Sequence, residues 1–254
     1  MARLTLLLAT ILIAQTAHSQ IINIESSRMQ TDTIRKAGTL NFSLSFNENN
    51  NNQLFQVKGA GVMQFKSKSL KEVVLILASG DLSRSGGNQF TNAGFLHVRY
   101  NHKFSKLFRW EVFQQAQYNQ VLGFQFRSLT GTGPRFKWLR KDNAFSYFGA
   151  LYMYEYEEPA STDNPVERSH RISTYLTFTI KVPKIGMEVV STTYFQPDLA
   201  ERGDFRVLNE SSLEFSITKK LAIRTTFSFL YDGKPVNDIS PRAYNLSQGF
   251  SLSL

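Results

Sequence analysis

Apolar and polar residues alternate along almost the whole chain with a period of two. In GTLNFSLSFN (residues 38–47), Leu40, Phe42, Leu44 and Phe46 share one face, and Thr39, Asn41, Ser43 and Ser45 share the other. RISTYLTFTIK (171–181) repeats the pattern with Ile172, Leu176, Phe178 and Ile180. LAIRTTFSFLY (221–231) does so with Leu221, Ile223, Phe227, Phe229 and Tyr231. Successive side chains of a strand point to opposite faces, so this period predicts β-structure; no segment carries the 3.6-residue period of a helix. Strands are expected at 38–47, 53–66, 71–81, 91–103, 107–119, 122–139, 144–157, 169–181, 185–196, 204–217, 221–231 and 243–254. Their connectors alternate in character. KSKSLK, HKFSKL, LRKDNA, KVPKI and TKKL are short. NENNNNQ, SGDLSRSGGNQ, EEPASTDNPVE, PDLAERGD and DGKPVNDISPR are longer and polar, with the brief NQVLG as the exception.

The first twenty residues, MARLTLLLATILIAQTAHSQ, place a basic Arg3 before an apolar run from Leu4 to Ala14 and a small-residue stretch ending at Ser19. That is the pattern of a secretory signal peptide over residues 1–19, with a run too short to span a bilayer. Residues 20–37 then form an N-terminal segment in the periplasm, and 38–254 the strand domain. The chain has no cysteine, so an exported location brings no disulfides, and stability rests on burial and hydrogen bonding. The formal net charge of +9 favours an anionic lipid or lipopolysaccharide surface as partner; nucleic acid is excluded for an exported chain.

Beyond the leader no apolar stretch reaches the roughly 20 residues of a spanning helix, which leaves a closed barrel as the architecture that crosses a membrane. A soluble β-sandwich also alternates, but aromatics in KWL and YMYEYEE gather near strand ends, as interfacial girdles require. The fold class expected is all-β: a closed antiparallel transmembrane barrel of about twelve strands, with both termini at the short-turn, periplasmic rim. The last strand carries Tyr244, Leu246, Phe250, Leu252 and Leu254 on one face. Ser247, Gly249, Leu252 and Leu254 together resemble the C-terminal signal read by the barrel-assembly machinery, with Leu254 in place of the usual Phe.

If the apolar face meets lipid, the intervening charges face the lumen. Arg99, Glu111, Gln115, Gln117, Arg127, Arg135, Arg171, Glu188, Glu210, Glu214 and Arg224 all fall on that parity. An Arg on the lipid face near the midplane costs about 2–4 kcal/mol, so burial sets the faces. Pairing Tyr100 with Trp110 and Val98 with Val112 sets Arg99 opposite Glu111. Pairing Ile217 with Leu221 and Phe215 with Ile223 sets Glu214 opposite Arg224. The lumen is therefore expected to be a packed polar network.

Catalytic signals are sparse. Of the histidines, His97 lies at mid-wall facing inward and His102 at the periplasmic end; His170, beside Ser169, sits just past an outer loop, where a Ser–His lipid-modifying enzyme would carry its base. No metal spacing, P-loop or GxSxG motif occurs, so no cofactor is expected. The glycines of GTGPRF lie inside a strand and read as relief of crowding.

HVRYNHKFSKLFRWEVFQQAQYNQ, FRSLTGTGPRF and YFGALYMYEYEE, spanning residues 90–160, resemble the outer-membrane family catalogued as domain of unknown function 481. The asparagine-rich start and the HxRYNxK phrase are similar to its Bacteroidetes branch. Some members are described as salt-stress-induced outer-membrane proteins. The resemblance implies fold and location and carries no catalytic residue. Three functions follow as expectations: a structural wall protein or narrow pore with a packed polar lumen; an outer-membrane phospholipase or lipid A deacylase; or a soluble secreted sandwich that binds a ligand.

Overall fold

The computed structural model describes residues 24, 25, 28, 34–49, 52–85, 89–119, 124–160, 165–234 and 241–253, without the side chains of 42–56, 85–91, 243, 245, 247 and 253. The signal peptide and Leu254 lie outside the described residues, as do the side chains of Phe42, Leu44 and Phe46. The chain forms twelve antiparallel strands closed into a barrel. They are β1 (Lys36–Asn49), β2 (Asn52–Lys66), β3 (Glu72–Ser85), β4 (Gln89–Lys103), β5 (Phe108–Asn119) and β6 (Phe124–Lys141). The circuit continues with β7 (Ala144–Pro159), β8 (Glu167–Val182), β9 (Met187–Pro197), β10 (Phe205–Ser216), β11 (Leu221–Asp232) and β12 (Arg242–Ser253). Closure rules out the sandwich. The seam between β1 and β12 runs from Thr39↔Ser253 to Phe42↔Phe250, so Phe250 to Ser253 are tied into the wall.

The barrel inverts the arrangement of a soluble protein. Trp138 is 59% exposed and Val112 44%, while Glu111 is 0%, Arg135 1% and Arg99 4%. Large apolar side chains cover the outside from Leu40 and Met63 round to Phe250 and Leu252. Only a hydrocarbon solvent makes such a surface favourable over this much of the wall. Aromatics band both rims. Phe108–Phe136 (5.3 Å) and Trp138–Phe178 (5.9 Å) pair near the short turns. Phe195–Phe205 (5.8 Å), Phe205–Tyr231 (5.4 Å) and Phe229–Tyr244 (5.2 Å) pair near the longer loops.

The strands run further than alternation predicts at the long-loop rim. β1 and β2 continue to Asn49 and Asn52, and β3 to Ser85, through residues that read as loop. Above the lipid the outer face meets water and needs no apolar residues, so the periodic signal stops before the hydrogen-bonded ladder does.

The register of one hairpin also differs from expectation. Glu214 does face Arg224, with Phe215 opposite Ile223. Between β4 and β5, however, Glu111 faces Asn101, Arg99 faces Phe113, and Tyr100 faces Val112, a shift of two residues from the expected pairing. The turn explains it. Ser105 Oγ accepts from the Leu107 and Phe108 amides (3.2 and 3.0 Å), and the Phe104 amide bonds the Phe108 carbonyl. Thr218 does the same for Lys220 and Leu221 (3.2 and 3.0 Å). In both turns the hydroxyl residue opens a three-residue loop, a local bond that Ser and Thr favour. Aligning FSKLF on ITKKL would have placed the register correctly.

Inside, the lumen is not wholly polar. Phe113, Leu151, Met153, Tyr175, Tyr194, Leu208 and Leu230 form a buried apolar cluster. Parity puts these residues inward but does not say that they meet. Two glycines make room for rings within it. A Cβ on Gly131 would lie 2.3 Å from the Phe113 ring, and one on Gly149 2.3 Å from the Tyr175 ring.

Candidate functional site

Two buried charge clusters occupy the lumen at different heights. The lower one, toward the short-turn rim, centres on Glu111 of β5. Its carboxylate accepts from Arg99 Nη1 (3.0 Å), Arg135 Nη1 (3.2 Å) and Tyr175 Oη (2.9 Å), contributed by β4, β6 and β8. A fourth donor comes from outside the wall: Arg28 Nη2 at 2.7 Å. Arg28 also donates through Nε to Glu25 Oε1 (2.6 Å), and Glu25 accepts from Arg135 Nη1 (2.9 Å) with Arg99 Nη1 at 3.6 Å. Asn101, its amide turned to suit the network, donates to Glu111 and accepts from Arg28 Nη1 at 3.1 Å. Ile24 anchors the same segment, buried among Val62, Leu75, Leu77 and Phe95. The N-terminal segment, expected in the periplasm, thus sends Ile24, Glu25 and Arg28 into the lumen.

The upper cluster, toward the longer loops, centres on Glu155 of β7. It takes Arg206 Nη1 (2.9 Å), Arg171 Nε (2.8 Å) and Arg127 Nε (3.3 Å). Arg127 also pairs with Glu157. Arg171 grips Asp204 with two bonds (3.0 and 2.7 Å), which fastens the β9–β10 loop to the wall, and Arg206 reaches Asp232 (3.2 Å). Outside the wall, Lys234 donates to Glu201 (2.7 Å), and that hydrogen bond raises the ammonium pKa.

A polar spine on β4 and β5 climbs between the clusters. Arg99 Nε donates to His97 Nε2 (3.2 Å), so the imidazole proton sits on Nδ1 and donates to Gln115 Oε1 (3.0 Å). Gln115 Nε2 passes on to Gln117 Oε1 (3.2 Å). His97 is stacked between Phe95 (6.1 Å) and Phe113 (5.3 Å). Beside the spine lies a cavity of about 470 Å³ including its solvent mouth, lined by Arg99, Gln117, Arg127, Glu155, Tyr194 and Arg206 among others.

Seven of the predicted lumen residues fall into three groups. Arg99, Glu111 and Arg135 make the lower cluster, Gln115 and Gln117 the spine, and Arg127 and Arg171 the upper cluster. Glu188, Glu214 and Arg224 do not join them. They form half-exposed inner pairs at the short-turn rim, Lys181–Glu188 (2.9 Å) and Arg224–Glu214 (2.6 Å). Glu188 and Glu214 face each other directly across β9 and β10, and each is matched by a base on its other side. Glu210 lies on the same inner face, half-buried. Glu155, Arg206, Asp204, Glu25 and Arg28 escaped the sequence-based site. Parity of β7 and β10 would have flagged Glu155 and Arg206; nothing in a period of two points to Glu25. His170 points outward, its Nδ1 bonded to Tyr152 Oη, while neighbouring Ser169 falls on the opposite face. Alternation separates that pair, so they form no catalytic dyad. Among the described residues no group of His, Asp or Glu is arranged to hold a metal ion.

A family model described as "Protein of unknown function, DUF481" matches residues 32–250. The chain belongs to this family. No curated protein matches it. Among solved structures, the NanC porin superposes with a TM-score of 0.51 at 10% identity, over 86% of this chain and 98% of that one. The KdgM porin gives 0.46 at 8% identity over 86% and 99%. The β domain of the Bordetella autotransporter BrkA gives 0.44 at 7% identity over 87% and 98%. At these identities the NanC likeness speaks for fold alone: this DUF481 protein has the barrel fold of outer-membrane proteins.

Proposed function

We propose that this DUF481 protein is a narrow pore of the bacterial outer membrane, held closed in the state described. Support for the membrane comes from the apolar, aromatic-banded outside of a closed barrel. The leader and the C-terminal Gly249, Leu252 and Leu254 fit export and handling by the barrel-assembly machinery, with lipid and lipopolysaccharide as the surrounding partners. One observation carries the closed-pore reading: the lower constriction is completed by Glu25 and Arg28, which are not part of the wall. A wall protein needs only wall residues to fill its lumen.

Planar-bilayer recording of the refolded full chain tests this. The native protein is expected to show rare, small openings, and Glu25→Gln combined with Arg28→Gln a several-fold higher open probability. Silence of both proteins, with a correctly refolded barrel, would return the protein to a structural role.

A further inference from the structure

We infer that Arg99 and Arg135 form a carboxylate-binding site inside the lumen, and that Glu25 is its resident occupant. The wall by itself places two guanidinium groups, 4% and 1% exposed, around one acid, Glu111. Two buried arginines sharing one carboxylate leave guanidinium donors that an acid or water must meet; Arg28, arriving with Glu25, is a third base around Glu111. In the closed state those donors are met by Glu25, whose carboxylate lies 2.7 Å from Arg135 Nη1 and 3.6 Å from Arg99 Nη1. That carboxylate arrives on a segment that precedes β1, so the wall is built to accept an acid it does not carry.

The fit also leaves capacity over. Arg135 reaches Glu25, Glu111 and Tyr175 through Nη1 alone, and its buried Nε has no hydrogen-bond partner among the described residues. A guanidinium binds a free carboxylate best through two parallel N–H donors, which a tethered side chain fails to reach here. The Tyr147 ring, 3.9 Å from Arg135 Cζ, holds the guanidinium plane in place. On the approach from the short-turn rim, Arg109 directly faces Arg135 across β5 and β6, and Lys137 lies over the Phe145 and Tyr147 rings (5.4 Å each). Those bases attract an anion toward the site. The ligand class is therefore a small carboxylic acid that competes with Glu25. This rests on the pore reading only for the route by which the acid enters.

The chain has no cysteine, so Ile24→Cys, at a position 2% exposed, gives one reporter thiol next to Glu25. The refolded full chain would be labelled with a maleimide in glutarate, in glutaramide, or in NaCl at matched ionic strength. Glutarate is expected to speed labelling several-fold and saturably, and the other two are not. Calorimetry on Glu25→Ala, which vacates the site without touching the wall, is expected to show glutarate binding at least about tenfold tighter than in the native chain. Unchanged labelling in glutarate, equal acceleration by NaCl, or no gain of affinity in Glu25→Ala would each overturn the site. Labelling that responds to glutarate in a protein that never conducts would retain the site and remove the pore.

Discussion

The two lumen clusters use the same chemistry and differ in where their charges come from. Around Glu155, the partners Arg127, Arg171 and Arg206 all lie on strands, and the outer acids belong to strands or to the loop that joins β9 to β10. The upper cluster is complete once the barrel closes. Around Glu111, the wall provides Arg99 and Arg135, and the remaining acid and base arrive as Glu25 and Arg28 from a segment preceding β1. A buried network made only of wall residues stiffens the wall. One completed by a separate segment can be opened without unfolding the barrel, because water or another acid can replace what leaves.

That contrast predicts unequal costs. Glu155→Ala removes three buried charge-assisted bonds at once, leaving Arg127, Arg171 and Arg206 with only Glu157, Asp204 and Asp232, and should lower barrel stability by about 3–5 kcal/mol. It is read as the shift in urea-unfolding midpoint of the barrel in lipid vesicles. Gly149→Ala comes next. Its Cβ would overlap the Tyr175 ring that bonds Glu111, and overpacking of this kind costs about 1–3 kcal/mol. Gly80→Ala, with nothing within 4 Å of the added carbon, is the control and should be near neutral. Glu25→Ala should cost only about 1.5 kcal/mol, since Arg28, Arg99 and Arg135 all keep Glu111 and a charged hydrogen bond is replaced by water. A loss as large as that of Glu155→Ala would erase the distinction between the clusters. The smallest effect, about 0.2–1 kcal/mol, is expected for Glu214→Ala at the solvated rim. Raised salt should shrink that last loss and leave the Glu155→Ala loss intact.

Much of this was legible in the chain. The number of strands, the sides their residues face, and the inward placement of Arg99, Glu111, Gln115, Arg127 and Arg135 follow from a period of two and from the cost of placing a charge in lipid. The Arg99–Glu111 contact was expected across a directly opposed pair. It forms instead between positions two apart, Arg99 Nη1 reaching Glu111 Oε2 at 3.0 Å, because long side chains span the diagonal.

What the sequence determined by itself is parity: which residues meet lipid and which meet the lumen, since a one-residue slip turns every side chain to the wrong solvent. Turn chemistry fixes locally what parity leaves open, and the tertiary structure alone decides which distant inward residues meet. A slip of two keeps every face correct, so the β4–β5 register waited on the bond that Ser105 makes to its own turn. Closure brings Glu155 of β7 against Arg206 of β10, 51 residues apart, and no local pattern encodes which inward charges will share a height. The placement of Glu25 in the lumen is the furthest from local reach. It depends on two arginines with one acid between them, a surplus that exists only when β4, β5 and β6 stand side by side in a closed wall.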